Sequence, residues 1–415
     1  MLLSVTAVAL VLVFVGAQAF WAWRLALLYP PATNAAANEG DWPHVAIVLS
    51  IRGADPSLAL CLDGLLNQDY PSYDIRIIVD SETDPAWAIV REVLAKSPGA
   101  AVKITLLEQR RETCSLKVSA LLQGLAGLDE SCQAVALIDA DATPRPHWLR
   151  DLVEPLRDPK VGATTGVRWY MTDSPQWGSL VRMAWGAAAA SQMFAFGIPW
   201  GGSMAFRTEL LRRSNIMEKW AKCLCEDVPL ESVINGLGLR LHFVLAATMV
   251  NCESIDLKRC FQFIRRQMVS VRLYHRRWPL LLISGLGSPL ALIFAIGASA
   301  AALASVDYTA AAAAAGVLVL CLIGLFTGSM WIDGALRAMA RRHGQTLPKL
   351  PVKTVLAVPL MQFVYLAALL SATFARRVEW RGAVYELLGP MELRLMEYQP
   401  YQAGADGSDS RTSVV

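Results

Sequence analysis

Apolar residues fall into two regimes along this chain. In four places they form long runs: Leu2 to about Trp23, about Pro279–Ser305, about Thr309–Ile332 and about Val355–Phe374. About 20 apolar residues cross the hydrocarbon of a bilayer, so each run predicts a membrane segment. Only a short loop with Asp307 separates the second and third, which predicts a hairpin; Pro359 and Gln362 interrupt the fourth. Between the first and second runs the pattern changes. His44–Ser50 (HVAIVLS), Ile75–Asp80 (IRIIVD), Val102–Leu107 and Ala134–Asp139 (AVALID) are short, rich in β-branched residues and predict buried strands. Leu58, Leu62, Leu65 and Leu66 share one helical face, and Trp87–Ala95 and Ser115–Leu125 predict further helices. Alternating strands and helices predict an α/β unit with a mainly parallel sheet. The chain then divides into an anchor (1–28), an α/β domain (40–278), a membrane hairpin with a further segment (279–375) and a tail (376–415).

Composition sharpens the membrane reading. Hydrophobic residues make up 54% and charged residues 18%, against about 25% charged in an average soluble domain. Mean hydropathy is +0.38. Disorder, collagen and a coiled coil are excluded for the chain as a whole. The net charge of +3 is not gathered into a stripe, so no nucleic-acid partner is expected. The eight cysteines form no CxxC pair, which predicts free thiols in a reducing compartment.

The first run starts without Lys or Arg and ends in Phe20, Trp21 and Trp23 before Arg24, the pattern of an uncleaved anchor. Arg24 on one side and Arg265, Arg266, Arg272, Arg276 and Arg277 on the other put the α/β domain in the cytoplasm. The reading is an integral protein of the cell (inner) membrane. Arg376, Arg377 and Arg381 follow the fourth run, and charge bias favours a cytoplasmic tail. That requires the fourth run to re-enter at Pro359 and leave on the side it came from, its non-helical backbone packed against protein. Ala403–Val415 is expected to be disordered.

Ligands of open α/β sheets bind beyond the carboxyl ends of the strands, and Asp80 and Asp139 end two of them. In Asp139-Ala140-Asp141, alternation puts both carboxylates on one side, a pair of hard oxygen ligands suited to Mg²⁺ or Mn²⁺ on a diphosphate; a solvated turn before Pro144 is the plainer alternative. Asp80 can accept from a nucleobase or ribose, or close an Asx turn. Trp200-Gly201-Gly202-Ser203 permits close backbone approach to a ligand, or simply turns into a strand. Glu226-Asp227 offers a carboxylate able to take a proton from a hydroxyl, or a charge pair at a helix start. Gln262-x-x-Arg265-Arg266-Gln267 can hold a departing diphosphate on one helical face, or bind anionic headgroups beside the membrane. The aromatic stretch from Trp185 to Trp200, with Met193, Phe194 and Phe196, either borders an acceptor path or packs as an ordinary helix face.

The order and spacing of these pieces resemble the membrane-bound family 2 inverting glycosyltransferases, and more closely their ceramide glucosyltransferase-like branch, family 21. The likeness covers about 42–280 and returns at Glu379-Trp380-Arg381-Gly382-Ala383-Val384-Tyr385, similar to a WRGxxY element after the membrane hairpin. It implies a GT-A (Rossmann-like) fold and inverting transfer of one glucose-like sugar from a UDP-sugar to a membrane lipid hydroxyl, ceramide or another glycolipid acceptor. Asp80, Lys117 and Asp139 would bind the donor nucleotide. Asp139 and Asp141 would hold the metal, and Asp227 would be the general base. Trp200, Gly201, Gly202, Ser203 and Glu226 would face the acceptor. Gln262, Arg265, Arg266 and Gln267 would hold the leaving group.

One position departs from the family pattern. Arg266 stands where a Trp of Gln-x-x-Arg-Trp is expected, which argues against a processive polysaccharide synthase, leaves the motif's register open and allows Arg266-Gln267 as the working pair. A polyisoprenyl-phosphate sugar transferase shares the fold. A transporter or scaffold would carry ionisable residues within its spans, and the first three runs carry essentially none.

Overall fold

A computed structural model describes residues 2–28, 41–172, 174–342 and 347–401. The expectation of disorder at Ala403–Val415 falls outside them. The first apolar run is helical as α1 (Leu2–Ala26). β1 (His44–Ile51), α2 (Leu58–Leu66), β2 (Tyr73–Val79), α3 (Pro85–Ala95), β3 (Val102–Leu106), α4 (Leu116–Leu125) and β4 (Cys132–Asp139) then alternate as the sequence pattern predicts. They are followed by α5 (Trp148–Val153), β5 (Val161–Thr165), β6 (Arg168–Tyr170), α6 (Trp177–Phe196), β7 (Ser203–Arg207), α7 (Glu209–Arg213), α8 (Ile216–Trp220), α9 (Asp227–Gly236), β8 (Arg240–Phe243), β9 (Met249–Asn251) and α10 (Leu257–Tyr274).

Seven strands make one sheet in the order β3-β2-β1-β4-β7-β5-β8. β7 alone in it runs antiparallel to its neighbours β4 and β5. β1 and β4 are buried along nearly their whole length, because helices cover both faces of the sheet. Leu58, Leu62, Val90, Trp148 and Leu152 pack on one face; Leu121, Leu125, Trp220, Leu230 and Ile234 pack on the other. Side-chain caps begin α3, α4, α10 and the later helix that starts at Tyr308: Asp84 accepts from Ala86 N, Ser115 from Val118 N, Asp256 from Arg259 N and Asp307 from Ala310 N, each worth about 1 kcal/mol. In register, Ser50 of β1 faces Asp139 and Ile51 faces Val79. Asp80 and Asp139 therefore emerge at one sheet edge with β1 between them.

Beyond α10 come α11 (Trp278–Ala304), α12 (Tyr308–Arg342) and α13 (Thr354–Thr373), three helices long and apolar enough to cross a membrane. α11 and α12 pair as the expected hairpin, and α1 packs beside both. The fourth run differs from expectation: it is a continuous helix through Pro359. Pro359 is the sixth residue of α13, past the first turn, so the helix continues there without the hydrogen bond to the Val355 carbonyl. α13 packs against α6 and α10. Gln362 accepts a hydrogen bond from Ser288 Oγ of α11 at 3.0 Å, and Arg272 of α10 caps the far end by donating to the carbonyls of Thr373 and Ala375.

The chain closes with a small antiparallel sheet, β10 (Arg377–Trp380), β11 (Ala383–Gly389) and β12 (Glu392–Tyr398). The two-residue turn between β10 and β11 has positive φ at both positions, Arg381 (+48°) and Gly382 (+73°), the backbone that matches hairpin twist. This sheet joins the core beside α4, where Leu116 N donates to the Tyr385 hydroxyl at 3.1 Å. The residues after α13 thus lie against the α/β unit itself.

Candidate active site

Two cavities open at the carboxyl edge of the sheet. The smaller, of about 110 Å³, is lined by Arg52, Asp55, Asp80, Asp141, Arg381 and their neighbours. The larger, of about 160 Å³, is mostly apolar and reaches from Glu226 and Asp227 to Trp185, Trp278, Tyr365 and Leu369 on α6, α11 and α13. Five residues border both: Lys117, Asp139, Arg168, Arg266 and Trp380.

An ionic chain runs through that junction. Lys117 Nζ is 2.6 Å from Asp139 Oδ1 and 2.7 Å from Glu226 Oε1. Arg168 Nη2 is 2.8 Å from Asp139 Oδ2 and 2.6 Å from Asp141 Oδ1. Burial acts to raise the pKa of Asp139, but Lys117 and Arg168 outweigh it and hold the carboxyl down at about 2. Burial pushes Glu226 up to about 7 against the pull of Lys117, with Asp227 and Asp139 adding to the rise. Its ordinary value is 4.5, so in the window from about 4.5 to about 7 the folded protein holds a proton that the unfolded chain releases. Stability from this group falls as pH rises through that window. Glu226→Gln is expected to flatten this slope in melting curves taken between pH 4.5 and 7.5; an unchanged slope would assign it to another group.

The sequence candidates fall into three sets. Lys117, Asp139, Asp141, Glu226, Asp227, Trp200, Arg266 and Gln267 all line the two cavities. Asp227 begins α9, and its Oδ2 accepts from Gly201 N at 3.2 Å. Asp80 lines the smaller cavity, but its carboxylate is engaged by Arg52, by Arg110 Nε at 3.3 Å and by the Tyr398 hydroxyl at 2.9 Å.

The second set lies behind the wall. Ser203 is fully buried, accepting from Trp148 Nε1 at 2.9 Å and donating to Ala247 O at 2.9 Å, so it braces the loop and lines neither cavity. Gly201 and Gly202 supply space: a Cβ on Gly201 would lie 1.8 Å from Glu226 Oε1, and one on Gly202 2.2 Å from the Trp200 ring. Gly201→Ala is expected to cost activity by at least tenfold through displacement of Glu226 while the protein still folds; full activity would remove the Glu226–Lys117 contact from the site.

The third set points elsewhere. Gln262 is exposed and lines neither cavity. Arg265 donates to Ser371 Oγ and to Arg377 O, both at 3.0 Å, tying α10 to α13 and β10. A helical turn of about 100° per residue separates Arg265 from Arg266, so Arg266-Gln267 is the pair in the cavity and the Gln262-Arg265 face is not. The aromatic stretch also divides: Trp185, Met193 and Trp200 line the larger cavity, while Phe194 packs on Trp21 and Phe243, and Phe196 on His275.

Several site residues escaped sequence reasoning. Arg168 lies in a three-residue strand with no motif around it. Arg381 makes a two-pronged ion pair with Asp55, at 2.7 and 2.9 Å. Arg52, Arg110 and Tyr398 stack together over Asp80. Only Trp380 and Arg381 had a local signal, the WRGxxY element.

The site's donor set also suits a divalent cation. One carboxylate oxygen of Asp139 and one of Asp141 converge on a single cationic nitrogen, the arrangement two oxygen ligands make around a metal. Among the described residues no third His, Cys, Asp or Glu joins them, which fits an ion whose remaining ligands are water and phosphate oxygens.

The sheet is of the mixed Rossmann-like GT-A type, with acids at its carboxyl edge and apolar helices following it in the chain. Residues 1–390 match the model of glycosyl transferase family 21, and the chain belongs to that family. It is distantly related to ceramide glucosyltransferases: it is 38% identical over 60 residues to that of Komagataella phaffii and 29% identical over 69 residues to that of Pyricularia oryzae. These stretches span 14% and 16% of this chain, and 12% and 14% of those relatives' lengths. In structure it is similar to the mannosyltransferase PcManGT of Pyrobaculum calidifontis, solved with GDP-Man and Mn²⁺, with a TM-score of 0.56 and 22% identity over 90% of this chain and 99% of that one.

Proposed function

We propose that this protein is an inverting, metal-dependent glycosyltransferase that moves one sugar, glucose-like, from a UDP-sugar to the hydroxyl of a membrane lipid of the ceramide or glycolipid kind. It would act as an integral membrane protein with its α/β domain at the cytoplasmic face. The observation that carries this reading is the pair of cavities joined at Lys117, Asp139, Arg168, Arg266 and Trp380: one rich in charged side chains, at the sheet edge, the other mostly apolar and walled by α6, α11 and α13. A two-chain lipid leaves a bilayer only at about 0.8 kcal/mol per CH₂, so a cleft that reaches the membrane helices is what such an acceptor needs.

The acceptor oxygen attacks the anomeric carbon from the Asp227 side, its proton passes to the Asp227 carboxylate, and the bond to the diphosphate oxygen breaks on the opposite face. A single displacement of this kind inverts the anomeric centre. Arg266 lies where both cavities meet and can stabilise charge on the departing diphosphate. A divalent cation, Mg²⁺ or Mn²⁺, held by Asp139 and Asp141 would neutralise the diphosphate further. Gly201 N and Val228 N both donate to Asp227 and fix its orientation.

The test is a transfer assay on the full chain in detergent, with a panel of UDP- and GDP-sugars, Mg²⁺ or Mn²⁺ and a mixed lipid extract, products being read by mass. One sugar added to one lipid supports the reading and names both substrates. Long polymer would favour a processive synthase, and no nucleotide-sugar binding would overturn the donor site.

A further inference from the structure

Arg168 holds an unusual position. It begins β6, which among the described residues pairs with β9 alone, in a ribbon apart from the main sheet. One of its nitrogens, Nη2, spans both acids of the Asp139-Ala140-Asp141 motif at 2.8 and 2.6 Å. Its guanidinium lies over the Trp200 ring, 4.7 Å from the centroid, and its side chain is 16% exposed, at the border of the two cavities. The remaining oxygen of Asp139 is taken by Lys117. Both motif carboxylates are thus neutralised by the chain's own cations.

We infer that Arg168 is an internal stand-in for the divalent cation: it occupies the point between Asp139 and Asp141 in the absence of donor and gives it up when metal and nucleotide diphosphate arrive together. This rests on the donor-site reading above. The argument is electrostatic. A doubly charged ion entering alone would meet Arg168 and Lys117 within a few ångströms, in a partly buried site where like charges repel strongly. The diphosphate changes the balance, because it brings negative charge to the metal and a bidentate partner for the displaced guanidinium. Arg168 would therefore make metal and donor binding mutually dependent and protect an empty site from stray cations. Coupling of this kind is reciprocal: UDP raises Mn²⁺ affinity by the same factor as Mn²⁺ raises UDP affinity.

The measurement is Mn²⁺ binding by the free-ion paramagnetic resonance signal, on the full chain in detergent, with and without UDP or GDP. The wild-type protein is expected to bind Mn²⁺ at least tenfold more tightly with nucleoside diphosphate than without. Arg168→Gln is expected to bind Mn²⁺ without nucleotide at least tenfold more tightly than wild type, and adding Asp141→Asn to it should remove that gain. Arg168→Met removes the charge with an unbranched apolar side chain and should likewise bind Mn²⁺ without nucleotide at least tenfold more tightly than wild type, so it tests the proposal even where Arg168→Gln does not fold. Nucleotide-free affinity equal to wild type in the folded Arg168 variants overturns the role of Arg168 and leaves the donor site standing. Absence of Mn²⁺ binding in every protein with either nucleotide overturns the metal-dependent donor site and this inference with it.

Discussion

Asp227→Asn is expected to lower sugar transfer by ~10²–10⁴-fold, the usual worth of a general base, with nucleotide affinity held within about twofold. The side chain starts α9, borders the larger cavity and is oriented by backbone donors from Gly201 and Val228. Asparagine keeps the shape but has a single acceptor oxygen, so it keeps one of those two bonds, and it cannot take the acceptor's proton. Glu226, its neighbour in sequence, is 1% exposed and committed to Lys117, so it is poorly placed to substitute. The informative comparison is turnover against nucleotide-sugar affinity. A variant that loses turnover alone identifies a base; one that loses affinity as well assigns Asp227 to donor binding. Near-normal turnover would remove it from the chemistry altogether.

Lys117→Met is expected to be the most destabilising single change in the site. The ammonium joins Asp139 and Glu226 at 2.6 and 2.7 Å. Removing one partner of a buried ion pair costs about 3–5 kcal/mol, because the other charge is left unpaired. Two features moderate this loss and make it depend on pH. Asp139 keeps Arg168 on its other oxygen. Glu226, whose pKa burial has already pushed to about 7, can escape by taking up a proton. Below pH 7 that proton is largely in place, so little is lost there; at pH 8 the wild-type carboxylate is ionised and paired, and the variant must either protonate it or bury it bare. The gap between wild-type and Lys117→Met melting temperatures is therefore expected to be larger at pH 8 than at pH 6. An equal gap at both would show that Glu226 does not depend on Lys117 for its charge.

Much of this molecule was legible from its residues alone. The strands ending in Asp80 and Asp139 could be read because they are buried on both faces, so nearly every position must be apolar, and because the turn that follows tolerates an acid. Asp139 and Asp141 do meet at one guanidinium, but Asp141 lies in the turn after β4, so the turn and not strand alternation brings them together. The hairpin of α11 and α12 follows from run length and a short polar loop. The family likeness rested on ordered elements from Asp80 to the WRGxxY tail, and the match to family 21 over residues 1–390 agrees with it.

What was not legible depends on contacts between distant segments. The helix α13 passes through Pro359 because α6, α10 and α11 pack around it, whereas local sequence marks Pro359 as a break. Whether Arg265 or Arg266 faces the cleft is a choice between adjacent positions on one helix. It is decided by Ser371 and the carbonyl of Arg377, more than a hundred residues away. Ser203 belongs to a glycine-rich loop that sequence assigns to the acceptor, yet Trp148 and Ala247 hold it inside. Arg168 carries no sequence signal because its significance is positional: only the meeting of β6 with the end of β4 puts one guanidinium nitrogen between two carboxylates. The sequence by itself determined which segments are strands, which are membrane-type helices and which acids end at the sheet edge, since periodicity and burial act locally. Tertiary structure alone decided which cations those acids meet, because ion pairs form between groups that the fold, and not the chain, makes neighbours.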